Sequence, residues 1–166
     1  TGAATQNGTA PCTAGAWSYT LSSALATSGT YSVTATQTDT AANTGTSGAQ
    51  SITINTAAPV VALTSVNGGI RTFPFTTNVT VTSLGGACTT AAGVNPTVSV
   101  AILGASTENG TAACTTGAWT FTPTTALSAD GAYAITVTQS DTASNVGTSG
   151  AQSITVDKTI PVVTLT

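Results

Sequence analysis

Short rows of alternating apolar and polar residues run along most of the chain. In the clearest row, after Gly131, the side chains of Tyr133, Ile135 and Val137 alternate with Ala and Thr. Similar rows lie at residues 79–82, 97–102, 118–122 and 153–156. Because successive side chains of a β-strand point to opposite faces, this alternation predicts strands with one buried face and one solvated face.

Turn-forming sequences separate these rows. Gly, Pro, Asn and Asp adopt the backbone conformations that turns require. We therefore predict turns at Asn67–Gly69, Leu84–Gly86, Asn95–Pro96, Asn109–Gly110 and Asp130–Gly131. Rows and turns together give about seven antiparallel strands in about 100 residues, which is typical of a two-sheet sandwich. The sequence thus predicts an all-β fold.

The sequence also repeats itself with an offset of 102 residues. The nine residues GTSGAQSIT at 45–53 recur verbatim at 147–155. The same offset relates Cys12 to Cys114, Trp17 to Trp119, Tyr31 to Tyr133, Asp39 to Asp141 and Pro59 to Pro161. No gap is needed, and a fixed period of this kind is the signature of repeat architectures.

The phase of the repeat divides the chain into three parts. Residues 58–159 form one complete predicted repeat, residues 1–57 the C-terminal part of a preceding one, and residues 160–166 the first strand of a following one. Taken alone, residues 1–57 would expose core side chains and unpaired strand edges. We expect either a chain that is longer at both ends, which is favoured, or a neighbouring copy that supplies the missing strands.

Composition narrows the classes of function. Charged residues make up 4% of the chain, His is absent and the net charge is −3. So few basic side chains cannot bind the successive phosphates of a nucleic-acid backbone, which argues against nucleic-acid binding. No apolar run approaches the roughly 20 residues that span a bilayer, and we expect no membrane insertion in this segment. The chain opens on Thr1 rather than Met and resembles a mature or excised segment.

The three cysteines are Cys12, Cys88 and Cys114. The repeat counterpart of Cys88 would precede Thr1. We therefore predict a Cys88–Cys114 disulfide, with Cys12 paired to a residue outside the chain or in a neighbour; free buried thiols are the alternative. A disulfide indicates an extracellular or cell-surface location. A structural metal site is not expected, because the chain lacks His and any C-x-x-C spacing.

Two stretches resemble the bacterial Ig-like repeats of large surface proteins and adhesins. They are Trp119–Thr122 and Leu127–Asn145, which contains an Asp-Gly-x-Tyr turn and an Asp-x-x-x-Asn turn, and Asp157–Pro161 resembles the family's inter-repeat junction. The preceding repeat matches as well, at Trp17–Thr20, Ser28–Tyr31 and Asp39–Asn43, but Ser28 and Asn55 replace the expected Asp residues. The resemblance implies tandem immunoglobulin-like β-sandwiches, with structural roles for Trp17, Tyr31, Trp119, Tyr133, Asp39 and Asp141.

Within that resemblance, the Asp-Gly-x-Tyr turn is similar to the tyrosine corner of Ig sandwiches, in which the phenol bonds back to nearby backbone. Trp17 and Trp119 alternate with Tyr19 and Phe121. This alternation favours core anchors over sugar-stacking platforms.

Candidate chemistry is sparse. The acids are Asp39, Glu108, Asp130, Asp141 and Asp157. General acid–base catalysis needs positioned titratable groups, and structural turn roles explain the repeat equivalents Asp39 and Asp141, so we do not expect an enzyme. Ca²⁺ at the repeat junctions would rest on Asp157 nearly alone, and a polar linker residue is favoured. Asn7, Asn78 and Asn109 each begin an N-x-Thr acceptor pattern for glycosylation, although Asn109–Gly110 also reads as a hairpin turn.

Two functions follow from these observations. The first is a non-catalytic stalk or spacer of tandem repeats, whose partners are neighbouring repeats and host or cell-surface glycans or proteins. The second is a subunit of an extracellular filament or surface layer in which copies complete each other's sandwiches by strand addition. A carbohydrate-binding module lacks an identifiable aromatic or acidic site.

Overall fold

The computed structural model describes residues 5–165, which contain fourteen strands. They divide into two units, 5–57 and 58–165. The first unit holds β1 (Gly29–Val33), β2 (Thr36–Thr38), β3 (Thr44–Thr46) and β4 (Gln50–Ile54). The second begins with β5 (Ala62–Val66), β6 (Gly69–Ile70), β7 (Phe75–Thr77), β8 (Leu84–Ala87) and β9 (Thr97–Gly104). It continues with β10 (Glu108–Ala113), β11 (Ala118–Phe121), β12 (Gly131–Ser140), β13 (Val146–Thr148) and β14 (Gln152–Val156). No helix in the described residues is long and apolar enough to cross a membrane.

One layer of the second unit is a six-stranded sheet. Its order is β10–β9–β12–β14–β7, with β13 paired to the far end of β12. All of these pairings are antiparallel except that of β14 with β7, which is parallel. The ten-residue strand β12 is the longest and pairs with β9, β13 and β14. It therefore lies at the centre of this sheet.

The other layer is a four-stranded sheet in the order β11–β8–β5–β6. Strands β5 and β6 form a hairpin through Asn67 and Gly68, which have φ values of 51° and 74°. Positive φ at both central residues is what a tight hairpin turn with the twist of its strands requires, and Asn-Gly supplies it. The turn predicted at Asn67–Gly69 is confirmed.

The core lies between the two sheets. It is built from the inward rows of β12, β9 and β14 on one side and from β5, β8 and β11 on the other. Its fully buried large side chains are Tyr133, Leu84, Ile102, Leu127, Ile135, Ile154, Val66, Val81, Val98, Val100 and Val137. Thr and Ser alternate with these rows on the outer faces, so the two-sheet sandwich expected from the period-two pattern is observed.

Two predicted turns are wrong. Leu84–Gly86 lies in β8. The glycine is explained by the paired strand β5, which passes so close that a side chain on Gly86 would collide with the backbone carbonyl of Ala62. Asn109–Gly110 lies in β10. Here the glycine leaves room for the Phe121 ring, with which a side chain on Gly110 would collide. In both places glycine permits close approach inside the sandwich rather than a reversal of the chain.

The strands also differ from the prediction in number and extent. Instead of about seven, the second unit has ten, because the short segments β6, β7 and β13 pair at the margins of the sheets. The row predicted at 79–82 is reduced to an isolated bridge between Val81 and Leu127, and Val79 is exposed. Only Val81 of this row reaches the core.

The first unit consists of two small antiparallel sheets, β1–β4 and β2–β3. The β1–β4 register pairs Gly29 with Ile54 and Tyr31 with Ile52, and β12–β14 repeats this register 102 residues later. The local conformation is therefore reproduced, but the covering sheet is not. Ile52 is 44% exposed, whereas its counterpart Ile154 is 0% exposed.

This difference generates a matched stability test. We expect Ile154→Ala to destabilise the second unit by about 2–5 kcal/mol, because it leaves a cavity in a sealed core. Ile52→Ala removes the same atoms from an exposed face and should cost well under about 1 kcal/mol. Urea unfolding of both variants, followed by circular dichroism, measures the two values. Equal losses would contradict the burial difference described above.

Candidate functional site

The most chemically distinctive side chains cluster where the two sheets meet. Cys88 directly follows β8 and Cys114 directly follows β10, so their disulfide joins the two layers of the sandwich. The backbone N–H of Cys88 donates to the Gly117 carbonyl at 2.9 Å, and that of Cys114 donates to the Pro96 carbonyl at 2.8 Å. The predicted Cys88–Cys114 pairing is confirmed, and Cys12 is an exposed free thiol in this structure.

Trp119 seals the core beside this disulfide. Its indole N–H donates to the carbonyls of Ala62 and Ala87, both at 3.1 Å, and its side chain is 3% exposed. Trp17, which we expected to be a core anchor in the same way, is 54% exposed. The physical reason is that β5 and β8, which supply the two carbonyls to Trp119, have no counterpart in residues 5–57.

Gln139 is a buried polar residue that the sequence interpretation missed. Its side-chain oxygen accepts from the Thr89 N–H at 2.9 Å, and its amide nitrogen donates to the carbonyls of Thr89 and Asn95, both at 2.9 Å. It is in phase with Tyr133, Ile135 and Val137 on β12, and that phase was the available signal. The satisfied amide links the segment after β8 to the loop before β9.

Asp141 organises the turn between β12 and β13. One carboxylate oxygen accepts from the backbone N–H groups of Ala143 and Asn145 at 2.9 and 2.8 Å, and the other accepts from the Asn145 side chain at 2.9 Å. Asp39 makes the same three bonds with Ala41 and Asn43, each at 2.9 Å. The side-chain hydrogen bond from the Asn is the main cause that lowers the pKa of each carboxyl group below its ordinary value.

The two tyrosines occupy equivalent corners. The Tyr133 hydroxyl donates to the Ala129 carbonyl and the Tyr31 hydroxyl to the Thr27 carbonyl, both at 3.0 Å. Both rings are buried. Each bond ties the start of a strand, β12 or β1, back to the preceding loop, which is the geometry of a tyrosine corner.

Where the chain leaves the second unit, it is held by side chains of neighbouring loops. The carboxylate of Asp130 accepts from the Lys158 N–H at 3.0 Å and from the Thr159 hydroxyl at 2.8 Å. The Lys158 ammonium donates to the Thr80 hydroxyl at 2.7 Å. In the first unit, Ser28 takes the place of Asp130, and its hydroxyl accepts from the Thr56 N–H at 3.0 Å.

The remaining candidates are dispersed. Asn7, Asn78 and Asn109 are all exposed, and Asn109 lies on the edge strand β10. Within residues 5–165, no three His, Cys, Asp or Glu side chains approach closely enough to hold a metal ion. The Asp157 carboxylate, the candidate Ca²⁺ ligand, accepts instead from the Thr159 N–H at 3.0 Å.

The outer face of the six-stranded sheet has a shallow depression of about 410 Å³. Small uncharged residues line it, among them Ser99, Asn109, Thr111, Thr136 and Thr138. Hydroxyl and amide groups of this kind can exchange hydrogen bonds with a partner surface. They supply no titratable group for proton transfer.

The amino-acid sequence matches one known protein family, and the features described above agree with that match. The sequence profile of the bacterial Ig-like domain matches residues 58–158. The chain belongs to the bacterial Ig-like domain family. No curated protein matches it significantly. Domains of this family are generally non-enzymatic and typical of structural, extracellular or surface proteins. The structure agrees with the family, because it is a two-sheet sandwich whose distinctive side chains hold turns and layers together.

The Asp141 geometry of the Ig-like unit predicts a pH dependence. Because the folded-state pKa lies below the ordinary value of 3.8, the stability that ionised Asp141 contributes is present above about pH 3.8 and is lost as the pH falls through the folded-state pKa. We expect Asp141→Asn to unfold more readily than wild type at neutral pH, with the difference shrinking below pH 3.8. Urea midpoints of the second unit measured against pH test this.

The exposed counterpart provides the control for that experiment. Asp39→Asn should leave the urea midpoint of the second unit unchanged at every pH, because Asp39 lies in the first unit. A difference for Asp141→Asn that stays constant down to acid pH would show that the carboxylate charge is not what stabilises the turn.

The disulfide gives a second prediction. Its two cysteines are separated by 26 positions. In the chain-entropy model, opening a loop of that length removes about 3.5 kcal/mol of stability. We expect the Cys88→Ser/Cys114→Ser double variant to lose about that much in urea unfolding, whereas Cys12→Ser should lose essentially nothing. A double variant as stable as wild type would contradict a role for the disulfide in stability.

Proposed function

We propose that this chain is a structural, non-catalytic segment of an extracellular surface protein, and that it works as a stalk or spacer built from tandem Ig-like repeats. The observation that carries the proposal is the placement of the two ends of the second unit. Such an arrangement lets successive units join end to end and extend away from a cell.

The start of the unit lies at one end of β12. Val60 exchanges two hydrogen bonds with the Thr89 hydroxyl, at 2.9 and 3.0 Å, and the Thr89 backbone is bound by Gln139 near the end of β12. The exit lies at the beginning of β12, where Gly131 pairs with Val156 and Asp130 holds Lys158. Eight strand residues separate the two ends, which corresponds to about 27 Å.

The similarity of the two exits supports the tandem arrangement. Ser28 binds the Thr56 N–H as Asp130 binds that of Lys158. The Asn55 side chain accepts from the Ala57 N–H at 3.1 Å, and Asp157 does the same for Thr159 at 3.0 Å. The two exits thus keep these hydrogen bonds although Ser28 replaces Asp130 and Asn55 replaces Asp157. A repeated connection between domains would require this.

The surface chemistry suits exposure outside a cell. Outward side chains are mainly Thr, Ser and Ala, so solubility rests on hydroxyl groups rather than on charge. The exposed Asn7, Asn78 and Asn109 are accessible for glycosylation if the host attaches sugars to these acceptor sequences. Partners of this surface would be neighbouring repeats and host or cell-surface glycans or proteins, bound through uncharged polar contacts.

A second candidate is a subunit of an extracellular filament or surface layer that is completed by strand exchange. The exposed apolar face of the first unit, formed by Trp17, Val33 and Ile52, favours it. Val163 and Leu165 are also exposed, whereas their counterparts Val61 and Leu63 are buried. Residues 160–165 of one copy would then cover the first unit of another, with the Trp17 N–H bonded to the Thr164 carbonyl as Trp119 bonds to Ala62.

The mass of the native polypeptide separates the two candidates. For a stalk, we expect antibodies against the second unit to detect a protein far heavier than 16 kDa, digested when intact cells are treated with proteinase K. A native polypeptide of 16 kDa whose concentration-dependent assembly is abolished by Leu165→Asp would favour the filament. A protein protected inside intact cells would overturn both.

A further inference from the structure

The turn that follows Cys12 in the first unit is built like the turn that follows Cys114 in the second. Thr13 and Ala16 exchange two backbone hydrogen bonds, at 2.9 and 3.0 Å, and the pair 102 residues later exchanges the same two bonds, at 2.8 and 3.0 Å. Cys114 is joined to Cys88, whereas Cys12 is an exposed thiol. The first unit thus presents Cys12 beside the same local backbone structure that accompanies the disulfide in the second unit.

A glycine and a glutamine of the first unit are exposed, although their counterparts pack against other segments. A side chain on Gly147 would collide with the Pro59 carbonyl, whereas a Cβ on Gly45 would lie 3.9 Å from its nearest neighbour, the Gln37 carbonyl. Gln139 binds the backbone between β8 and β9, whereas Gln37 is exposed. Gly45 and Gln37 therefore keep the features that receive a covering segment in the second unit.

Trp17 belongs to the same set. Its counterpart Trp119 donates to the carbonyls of Ala62 and Ala87 and is 3% exposed, whereas Trp17 is 54% exposed. The acceptor face is defined here by the four exposed residues of the first unit whose counterparts bind a covering segment, namely Cys12, Trp17, Gln37 and Gly45.

The groups that fill the equivalent face of the second unit all come from one segment of chain. They belong to Pro59, Ala62, Ala87, Cys88, Thr89 and Asn95. This segment, residues 58–104, contains β5 to β9. Residues 160–165 repeat positions 58–63 alone, and they include no cysteine and no counterpart of β8. A strand of that length would therefore leave Cys12 and Gln37 without the contacts that their counterparts make.

We propose that the acceptor face binds a polypeptide segment with the chemistry of residues 58–104, and that a disulfide from Cys12 locks this segment in place. The inference deepens the proposed tandem arrangement and rests on it for the source of the segment, which is a neighbouring repeat. Recognition depends on apolar burial, on close backbone approach at Gly45 and on uncharged hydrogen bonds, because none of the contacts described above involves a charged side chain.

Formation of the lock is an oxidation. The two thiols lose two protons and two electrons as the S–S bond forms, and a low-molecular-weight disulfide such as oxidised glutathione takes them up and becomes two thiols. If the cysteine of the segment already carries glutathione, a single exchange suffices. The Cys12 thiolate attacks the cysteine sulfur, the bond to glutathione breaks, and the departing glutathione thiolate takes up a proton.

The test mixes the whole 166-residue chain with a probe, the separate polypeptide of residues 58–104 whose Cys88 carries glutathione. The chain's own Cys88 and Cys114 are already bonded to each other, so Cys12 is the thiol that reacts. We expect a disulfide between Cys12 and the probe, measured by mass spectrometry. We also expect the Trp17 emission to move to shorter wavelengths as the indole leaves water. Trp119 is already buried and the probe contains no Trp, so neither obscures this shift.

A matched pair of variants isolates the acceptor face. Gly45→Ala adds a Cβ that has room in the exposed unit, and its φ is not positive, but the Cβ would collide with the proline carbonyl of a bound segment. We expect the disulfide to form at least about tenfold more slowly. Thr46→Val alters the next residue of β3, whose side chain points to the opposite face, and should leave the rate unchanged. Circular dichroism checks that both variants keep the wild-type fold.

Equal rates for Gly45→Ala and wild type would refute the acceptor face. Equal rates and Trp17 shifts for the probe and for a probe of shuffled sequence would overturn it as well, whatever the variants do. A Trp17 shift of the same size with the peptide of residues 160–166 would show that one short strand is the partner, and the assigned segment would be wrong. Failure here is distinguishable from failure of the stalk, because native mass and surface exposure are measured on cells and do not depend on these rates.

Discussion

The structure depends on covering the apolar face of the sheet formed by β12, β9 and β14. In the second unit, β5, β8 and β11 supply that cover, and Trp119 anchors it by binding carbonyls of two segments at once. The first unit shows what the corresponding part of the repeat does without a cover. Its hairpins keep their register, its Asp39 turn and its tyrosine corner, but Trp17 and Ile52 face solvent. Local hydrogen bonding therefore sets the shape of the strands, and burial between sheets makes the domain.

The difference between local hydrogen bonding and burial between sheets explains which features could be predicted from the sequence. The alternation around Tyr133 and Ile135 depends only on the two-residue period of a strand, and the disulfide followed from the phase of the repeat. The Asn67–Gly68 turn depends only on local backbone conformation. These predictions needed no knowledge of which strands become neighbours.

Features that depend on contacts between distant segments were not predictable in the same way. Gly85 and Gly86 read as a turn because the sequence does not reveal that β5 passes too close for a side chain. Gly110 read as a turn because the Phe121 ring that occupies its side is remote in sequence. Gln139 looked like an ordinary polar strand residue, although its phase on β12 placed it inward. Trp17 differs from Trp119 only in what surrounds it.

Basic side chains are few, and both are engaged in the second unit. The Arg71 guanidinium lies over the Phe75 ring, 4.9 Å from its centre, and the Lys158 ammonium is bound to Thr80. They are the only two basic residues among 166. Proteases that cleave after Lys or Arg thus find two susceptible bonds in the whole segment, one beside the strand β7 and one within the hydrogen-bonded exit. A surface that carries hydroxyl groups in place of basic side chains is, for the same reason, a poor substrate for trypsin-like enzymes.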